Sequence, residues 1–340
     1  MDPRGAAAAR LSARVTTPLH QLAQEAGADF PNLFAARDLT MTRLVERRSR
    51  LRELDHDGDV AIVLMGSWGR SEVTSGSDDD YMVLVGGEKR EAVRPATVDI
   101  ETVLDRAPGK QNIFGEPVWV RELIEKIGLD QDSNANLSRR MLFLLESIDA
   151  TNPELVNTAR DQLLLRYLDE SVKHDRPPRF LLNDVIRYWR TMCVDFAGKE
   201  YEGPEKWGLR NVKLRTARKV LFAGGLLPVF ECARFAAEEM PGYLREELRT
   251  PPVDRIAHAF IQHGAVDPGA RALEAYDSFL GLLDDEAKRA ELETLTRAQA
   301  GNSPVFGEAT RLGKELEHGL LALLFETDAL SKLVREFGIF

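Results

Sequence analysis

The stretch from Gly66 to Val85, GSWGRSEVTSGSDDDYMVLV, constrains this chain more than any other. It follows a short apolar run, Val60 to Met65, and it ends in a second one, Tyr81 to Val85. Each run has the length and character of a buried strand. Gly66 and Ser67 make a tight turn directly after the first strand, and the residues behind them can open a helix whose backbone N–H groups face an anion. Asp78 and Asp80 stand at the start of the second strand. Side chains two apart in a strand share a face, so these two can hold one metal ion while Asp79 points away. A phosphate cradle beside a divalent-cation site is what nucleotidyl transfer requires.

A Gly/Ser-rich loop ending in acids is often a solvated hairpin connection. The apolar run Tyr81-Met82-Val83-Leu84-Val85 argues otherwise, because a hairpin tip needs no buried strand directly behind it. Trp68 either stacks on a base or packs on the first strand, and packing is the simpler reading. Arg70 has two roles open to it: contact with phosphate, or an ion pair with Glu72.

The anchored residues Gly66-Ser67-x-Gly69-Arg70-x-Glu72 and Ser77-Asp78-Asp79-Asp80 resemble the active-site signature of the nucleotidyltransferase superfamily typified by DNA polymerase beta. The likeness is greatest to the bacterial branch near the PII uridylyltransferases. Asp79 occupies a slot that the superfamily usually fills with an apolar residue. The resemblance implies an enzyme that moves an NMP from an NTP to an acceptor hydroxyl and releases pyrophosphate. It implies Mg2+ as the cofactor, with Mn2+ as the alternative ion, held by Asp78, Asp80 and a third acid from a later strand. Glu116 suits that role, on an expected third strand at 112–120 where it shares a face with Phe114 and Val118. Asp99 and Glu101 are the alternatives if 98–103 is a strand instead of a helix. Gly66, Ser67 and Arg70 would bind the nucleotide phosphates.

The expected fold class is α+β: a small mixed sheet, an N-terminal helical segment and a large C-terminal α-helical domain. The boundaries fall at 1–55 for the leader and helix, 56–127 for the nucleotidyltransferase core and 128–340 for the helical domain. The pattern is helical from Thr17 to about Leu54, and Pro95 opens a helix to about Arg106, giving the order strand, helix, strand, helix, strand. Pro117 marks the third strand as an edge or a bulge. Everything after Arg121 reads as helix, including 134–148, 266–298 and 306–337.

In the helical part, Asn183, Arg187 and Arg190 fall on one three/four-spaced stripe among Tyr188, Trp189 and Phe196. Lys206, Arg210 and Lys213 form a second, with Arg215, Arg218 and Lys219 close by. By the resemblance, Arg187, Arg190 and Lys213 are candidate ligands of the triphosphate. The structural alternative is a solvated face or a surface for an acidic partner.

Composition closes off other classes. The chain has 340 residues and 44% hydrophobic content, enough for a substantial core, and no apolar run approaches the length needed to span a bilayer. A cytoplasmic location and no membrane partner are expected. Cys193 and Cys232 stand alone without metal-binding spacing, so neither a disulfide framework nor a zinc site is expected. The net charge of −10 argues against broad nonspecific affinity for nucleic acid, and the absence of a strong basic stripe disfavours a long nucleic-acid substrate. The acceptor is left open among a protein, a small molecule, an RNA end and a short oligonucleotide, in a bacterial stress or defence setting. A catalytically weak NTP-binding module that regulates a partner protein is the competing function. The apolar terminus LVREFGIF could dock on its own chain or on a second subunit of a homo-oligomer.

Overall fold

The computed structural model describes residues 16–54, 58–87, 100, 102–104, 113–114, 117–168, 176–203 and 205–338. Two helices open the described chain, α1 at Pro18–Ala26 and α2 at Pro31–Arg52. The single helical stretch expected from Thr17 to Leu54 is broken because Gly27 takes a left-handed φ of 63° and ends α1. Each helix begins with Pro in its first turn, where the missing N–H costs nothing. Distant carboxylates complete these N-termini. Asp254 accepts from the Leu19 N–H at 3.2 Å, and Asp277 accepts from the Leu33 N–H at 2.8 Å.

Four strands form one mixed sheet: β1 at Val60–Met65, β2 at Tyr81–Val85, β3 at Pro117–Trp119 and β4 at Ser147–Asp149, in the order β3-β2-β1-β4. β1 runs antiparallel to both β2 and β4, and β2 runs parallel to β3. Pro117 opens an edge strand, where it needs no ladder donor. Alternation then splits the sheet into two faces. Ala61, Val63, Met65, Met82, Leu84 and Val118 join the main core with the helical region. Val60, Ile62, Leu64, Tyr81 and Val83 pack with Leu44 and Leu51 of α2, with Trp68 and with Val73.

Helices make up nearly all of the rest: α3 at Val120–Glu125, α4 at Asn134–Leu145, α5 at Pro153–Leu168, α6 at Arg179–Glu202, α7 at Trp207–Arg215, α8 at Ala217–Glu231, α9 at Met240–Glu247, α10 at Pro252–Gln262, α11 at Val266–Asp284, α12 at Glu286–Thr294, α13 at Pro304–Glu326 and α14 at Asp328–Phe337. The architecture is therefore a mostly helical α+β fold with N-terminal helices, a small four-stranded mixed sheet and a large C-terminal helical region.

Three expectations are corrected. No helix follows Gly66. Arg70 N–H bonds Gly66 O at 3.1 Å and Glu72 N–H bonds Ser67 O at 2.8 Å, but Ser71 turns to a φ of 57° and a single turn is all that forms. The stretch after Arg121 is not wholly helical, since the end of the expected 134–148 helix becomes β4, which pairs Ile148 with Leu64. The long helices at 266–298 and 306–337 are each divided. Asp285 caps α12 by accepting from the Lys288 N–H at 3.0 Å, and Thr327 separates α13 from α14. α14 buries Leu330 and Val334 within its own chain. Among the described residues no helix is long and apolar enough to cross a membrane.

Candidate functional site

The site is built on the link between β1 and β2. Gly66 sits at a φ of 65°, a region that side chains rarely adopt. A β-carbon there would lie 3.2 Å from Asp80 Oδ2, so the turn and the carboxylate are stacked on each other. Met65 N–H donates to Asp80 O at 2.9 Å, which pins the backbone of Asp80 beside the end of β1. Ser67 follows in the same turn, half-buried.

The acids differ as a strand period dictates, although β2 itself begins only at Tyr81. Asp78 is exposed and makes no hydrogen bond or ion pair among the described residues, and Asp80 is half-buried. Asp79 is buried, accepts from Trp68 Nε1 at 3.1 Å and lies 3.6 Å from the buried Arg47 guanidinium. Trp68, 1% exposed, is packing and not a free stacking surface. A buried carboxylate thus stands where an apolar side chain was expected, because Trp68 and Arg47 supply partners for it.

Arg70 is held between two carboxylates. Its Nε donates to Glu72 Oε2 at 2.7 Å, and its Nη1 donates to Glu146 Oε2. Glu72 Oε2 also accepts from the Tyr276 hydroxyl of α11 at 2.8 Å. Burial works against the Arg70 charge, but Glu146 and Glu72 outweigh it and hold the guanidinium well above its usual range. Burial pushes the Glu72 carboxyl up despite the opposing pull of Arg70.

The loop that carries Asp78 is tied down from the helical region. Asp284, at the end of α11, accepts from the Ser75 N–H at 2.9 Å and from its hydroxyl at 3.0 Å. Arg289 of α12 lies flat against Gly76, where a β-carbon would come within 2.6 Å of its Cζ. Arg43 of α2 donates to Thr74 O at 3.2 Å.

A cluster of cations faces these acids. Lys213 of α7 is pushed down to about 8, by burial first and then by Arg289, Arg70 and Arg218, with Asp78 opposing the shift. Neither the Lys213 nor the Arg218 side chain makes a hydrogen bond or ion pair among the described residues. Arg289 gives only its Nε, to Glu293 at 3.2 Å. Mutually repelling cations, of which Lys213 and Arg218 have no counter-ion among the described residues, stand beside Asp78 and Asp80 and form a natural seat for a polyanion bound together with a metal.

Of the residues singled out in the sequence, Gly66, Ser67, Arg70, Asp78, Asp80 and Lys213 come together here. Arg187 and Arg190 do not share that arrangement. Arg187 donates to Asp184 at 2.9 Å and joins a buried network of Arg140, Asp132 and Tyr167. Arg190 is exposed. On α6 it is Tyr188 that feels Glu146, Arg218 and Arg70, and at about 100° per residue neither neighbouring arginine points the same way. Glu116, Asp99 and Glu101 lie outside the described residues. Among the described residues no three His, Cys, Asp or Glu side chains form a metal-binding group. Glu146, Tyr276 and Arg289 were missed by the sequence reading. They sit on elements whose patterns look like ordinary amphipathic helix, and only the fold brings them to the turn.

No family model matches the chain, and neither a curated protein nor a solved structure gives a match.

Proposed function

We propose that the chain is a metal-dependent nucleotidyltransferase that moves an NMP from an NTP to an acceptor hydroxyl. The observation that carries this reading is the cation group Lys213, Arg218 and Arg289, the first two without an ion-pair partner among the described residues, beside Asp78, Asp80 and the Gly66 turn. Asp78 and Asp80 are hard oxygen donors suited to Mg2+, which when bound neutralises charge on the phosphates and the leaving group. Lys213, Arg218 and Arg289 hold the β- and γ-phosphates. Arg70 and the Gly66-Ser67 turn hold the α-phosphate. The acceptor oxygen attacks the α-phosphorus, the bond to the bridging oxygen breaks, and pyrophosphate leaves on the side of the cations. The hydroxyl proton passes to a site carboxylate.

The test incubates the full chain with each labelled NTP and Mg2+, alone and with cell extract, and follows pyrophosphate and labelled product. Label transferred to an acceptor, with loss of transfer in the Asp78→Ala/Asp80→Ala double variant, is the expected result. No pyrophosphate from any NTP would end the enzyme reading. A second reading, an NTP-binding regulatory module, is favoured by one observation: among the described residues no third His, Cys, Asp or Glu joins Asp78 and Asp80 in a metal-binding group. Tight NTP binding without turnover would select it.

A further inference from the structure

We propose that Tyr276, on α11, is a positioning residue for the phosphate site: through Glu72 it holds Arg70 so that one guanidinium nitrogen, Nη2, faces the bound anion. The inference rests on the nucleotidyl-transfer reading only for the identity of that anion.

A guanidinium offers five N–H donors in a fixed plane. Two of the three Arg70 nitrogens are committed, Nε to Glu72 Oε2 at 2.7 Å and Nη1 to Glu146 Oε2. The carboxylates come from different parts of the fold: Glu72 follows the Gly66 turn, and Glu146 joins α4 to β4. Bonds to both fix the plane of the guanidinium, and Nη2 is left without a partner among the described residues. The Arg70 side chain keeps 17% of its surface exposed, so it is not sealed off from solvent. Lys213 lies near enough to Arg70 for the two charges to repel.

Glu72 cannot orient itself. Its Oε1 is buried without a partner, so Oε2 carries every bond the carboxylate makes. One of those bonds goes to the group it must position. The other comes from the Tyr276 hydroxyl at 2.8 Å, and this is the only hydrogen bond that hydroxyl makes among the described residues. Tyr276 is buried and stacks with Phe279, a packing role that phenylalanine would fill as well. Burying a hydroxyl is unfavourable unless it is bonded, and here its bond fixes the Glu72 carboxylate against rotation. The helical region therefore sets the direction of an arginine that belongs to the sheet.

The experiment measures binding of inorganic tripolyphosphate to the full chain by calorimetry, for the unaltered protein, Tyr276→Phe, Arg70→Met and the double variant. Thermal unfolding verifies the fold of each. Tyr276→Phe should weaken binding roughly three- to tenfold, the range of a coupled pair, and should weaken it no further once Arg70 is gone. Glu72→Gln should weaken it in the same direction, and it carries the test if Tyr276→Phe does not fold. Unchanged binding in Tyr276→Phe, or an equal loss with and without Arg70, would overturn the inference. So would an unaltered protein that does not bind tripolyphosphate. Tyr276-dependent binding without pyrophosphate release from any NTP would instead overturn the enzyme reading and leave the positioning role standing.

Discussion

Gly69 packs its Cα directly on the backbone of Glu146, and no β-carbon fits between them. The contact presses the turn after β1 against the start of β4, at the point where Arg70 reaches Glu146. Because the obstacle is main chain in the middle of the fold, it cannot swing aside as a side-chain tip would. Gly69→Ala should therefore destabilise the protein by about 3 kcal/mol, at the upper end of overpacking costs. Gly242→Ala, in α9 with open space around it, should be neutral or stabilising by up to about 1 kcal/mol. Urea unfolding of the two variants measures the contrast, and similar midpoints would refute it.

Three adjacent aspartates should separate into two behaviours. Asp78 is exposed and unpaired among the described residues, so Asp78→Asn should change stability by less than about 0.5 kcal/mol while lowering pyrophosphate release at least a hundredfold, roughly 2.7 kcal/mol in the barrier. Asp79→Ala should do the reverse in kind, since it strips a buried carboxylate from Trp68 and Arg47. Breaking such a pair costs about 3–5 kcal/mol. Melting curves and an activity assay on the same preparations decide it; a destabilised Asp78→Asn would mean that Asp78 is structural.

The parts legible in the sequence were those whose cause is local. Val60 to Met65 and Tyr81 to Val85 are unbroken apolar runs because both faces of the sheet are covered, by α2 on one side and the helical region on the other. The burial of Asp79 apart from Asp78 and Asp80 was legible because the strand period separates it from them. β4 was not: Ser147-Ile148-Asp149 is three residues long, half-buried and directly continuous with the apolar end of α4. Its strand character comes from pairing with β1, which no local pattern announces. The helix expected after Gly66 failed for a related reason, because the turn is shaped by Glu146 and Tyr276 from distant elements. Arg289 looked like any charge in EAKRAELET until Gly76 was found beneath it.

Arg255 is a buried arginine with no carboxylate bonded to it among the described residues. It donates instead to five carbonyls, those of Gly224, Leu145, Leu248, Glu247 and Thr250, at 2.8 to 3.2 Å. Leu145 ends α4, and Glu247 and Leu248 end α9, so the guanidinium satisfies carbonyls that helix termini leave open. Arg255→Met should cost more than about 3 kcal/mol, because several buried acceptors lose their donor at once. Arg255→Lys should recover little of this, since an ammonium cannot span carbonyls from three elements. Chemical denaturation of both variants tests the claim, and full rescue by lysine would show that the charge alone matters.

Lys213 should make both stability and anion binding depend on pH in the alkaline range. Its ordinary value is 10.5, and in the fold it is pushed down to about 8, by burial and then by Arg289, Arg70 and Arg218. Below about pH 8 the lysine is protonated in the folded and unfolded chains alike, and the unfavourable burial and repulsion are fully present. Between about 8 and 10.5 the folded chain has released the proton and the unfolded chain keeps it, so stability rises with pH across this window. Lys213→Met should remove that rise and stabilise the free protein at pH 7 by about 1 kcal/mol, allowing for solvent screening. Binding runs the opposite way. A polyanion favours the charged lysine, so tripolyphosphate affinity should fall about tenfold from pH 7 to pH 9, and Lys213→Met should bind weakly without that slope. Calorimetric titrations at the two pH values, set against unfolding midpoints in the same buffers, test both signs together. An affinity independent of pH in the unaltered protein would remove Lys213 from the anion site.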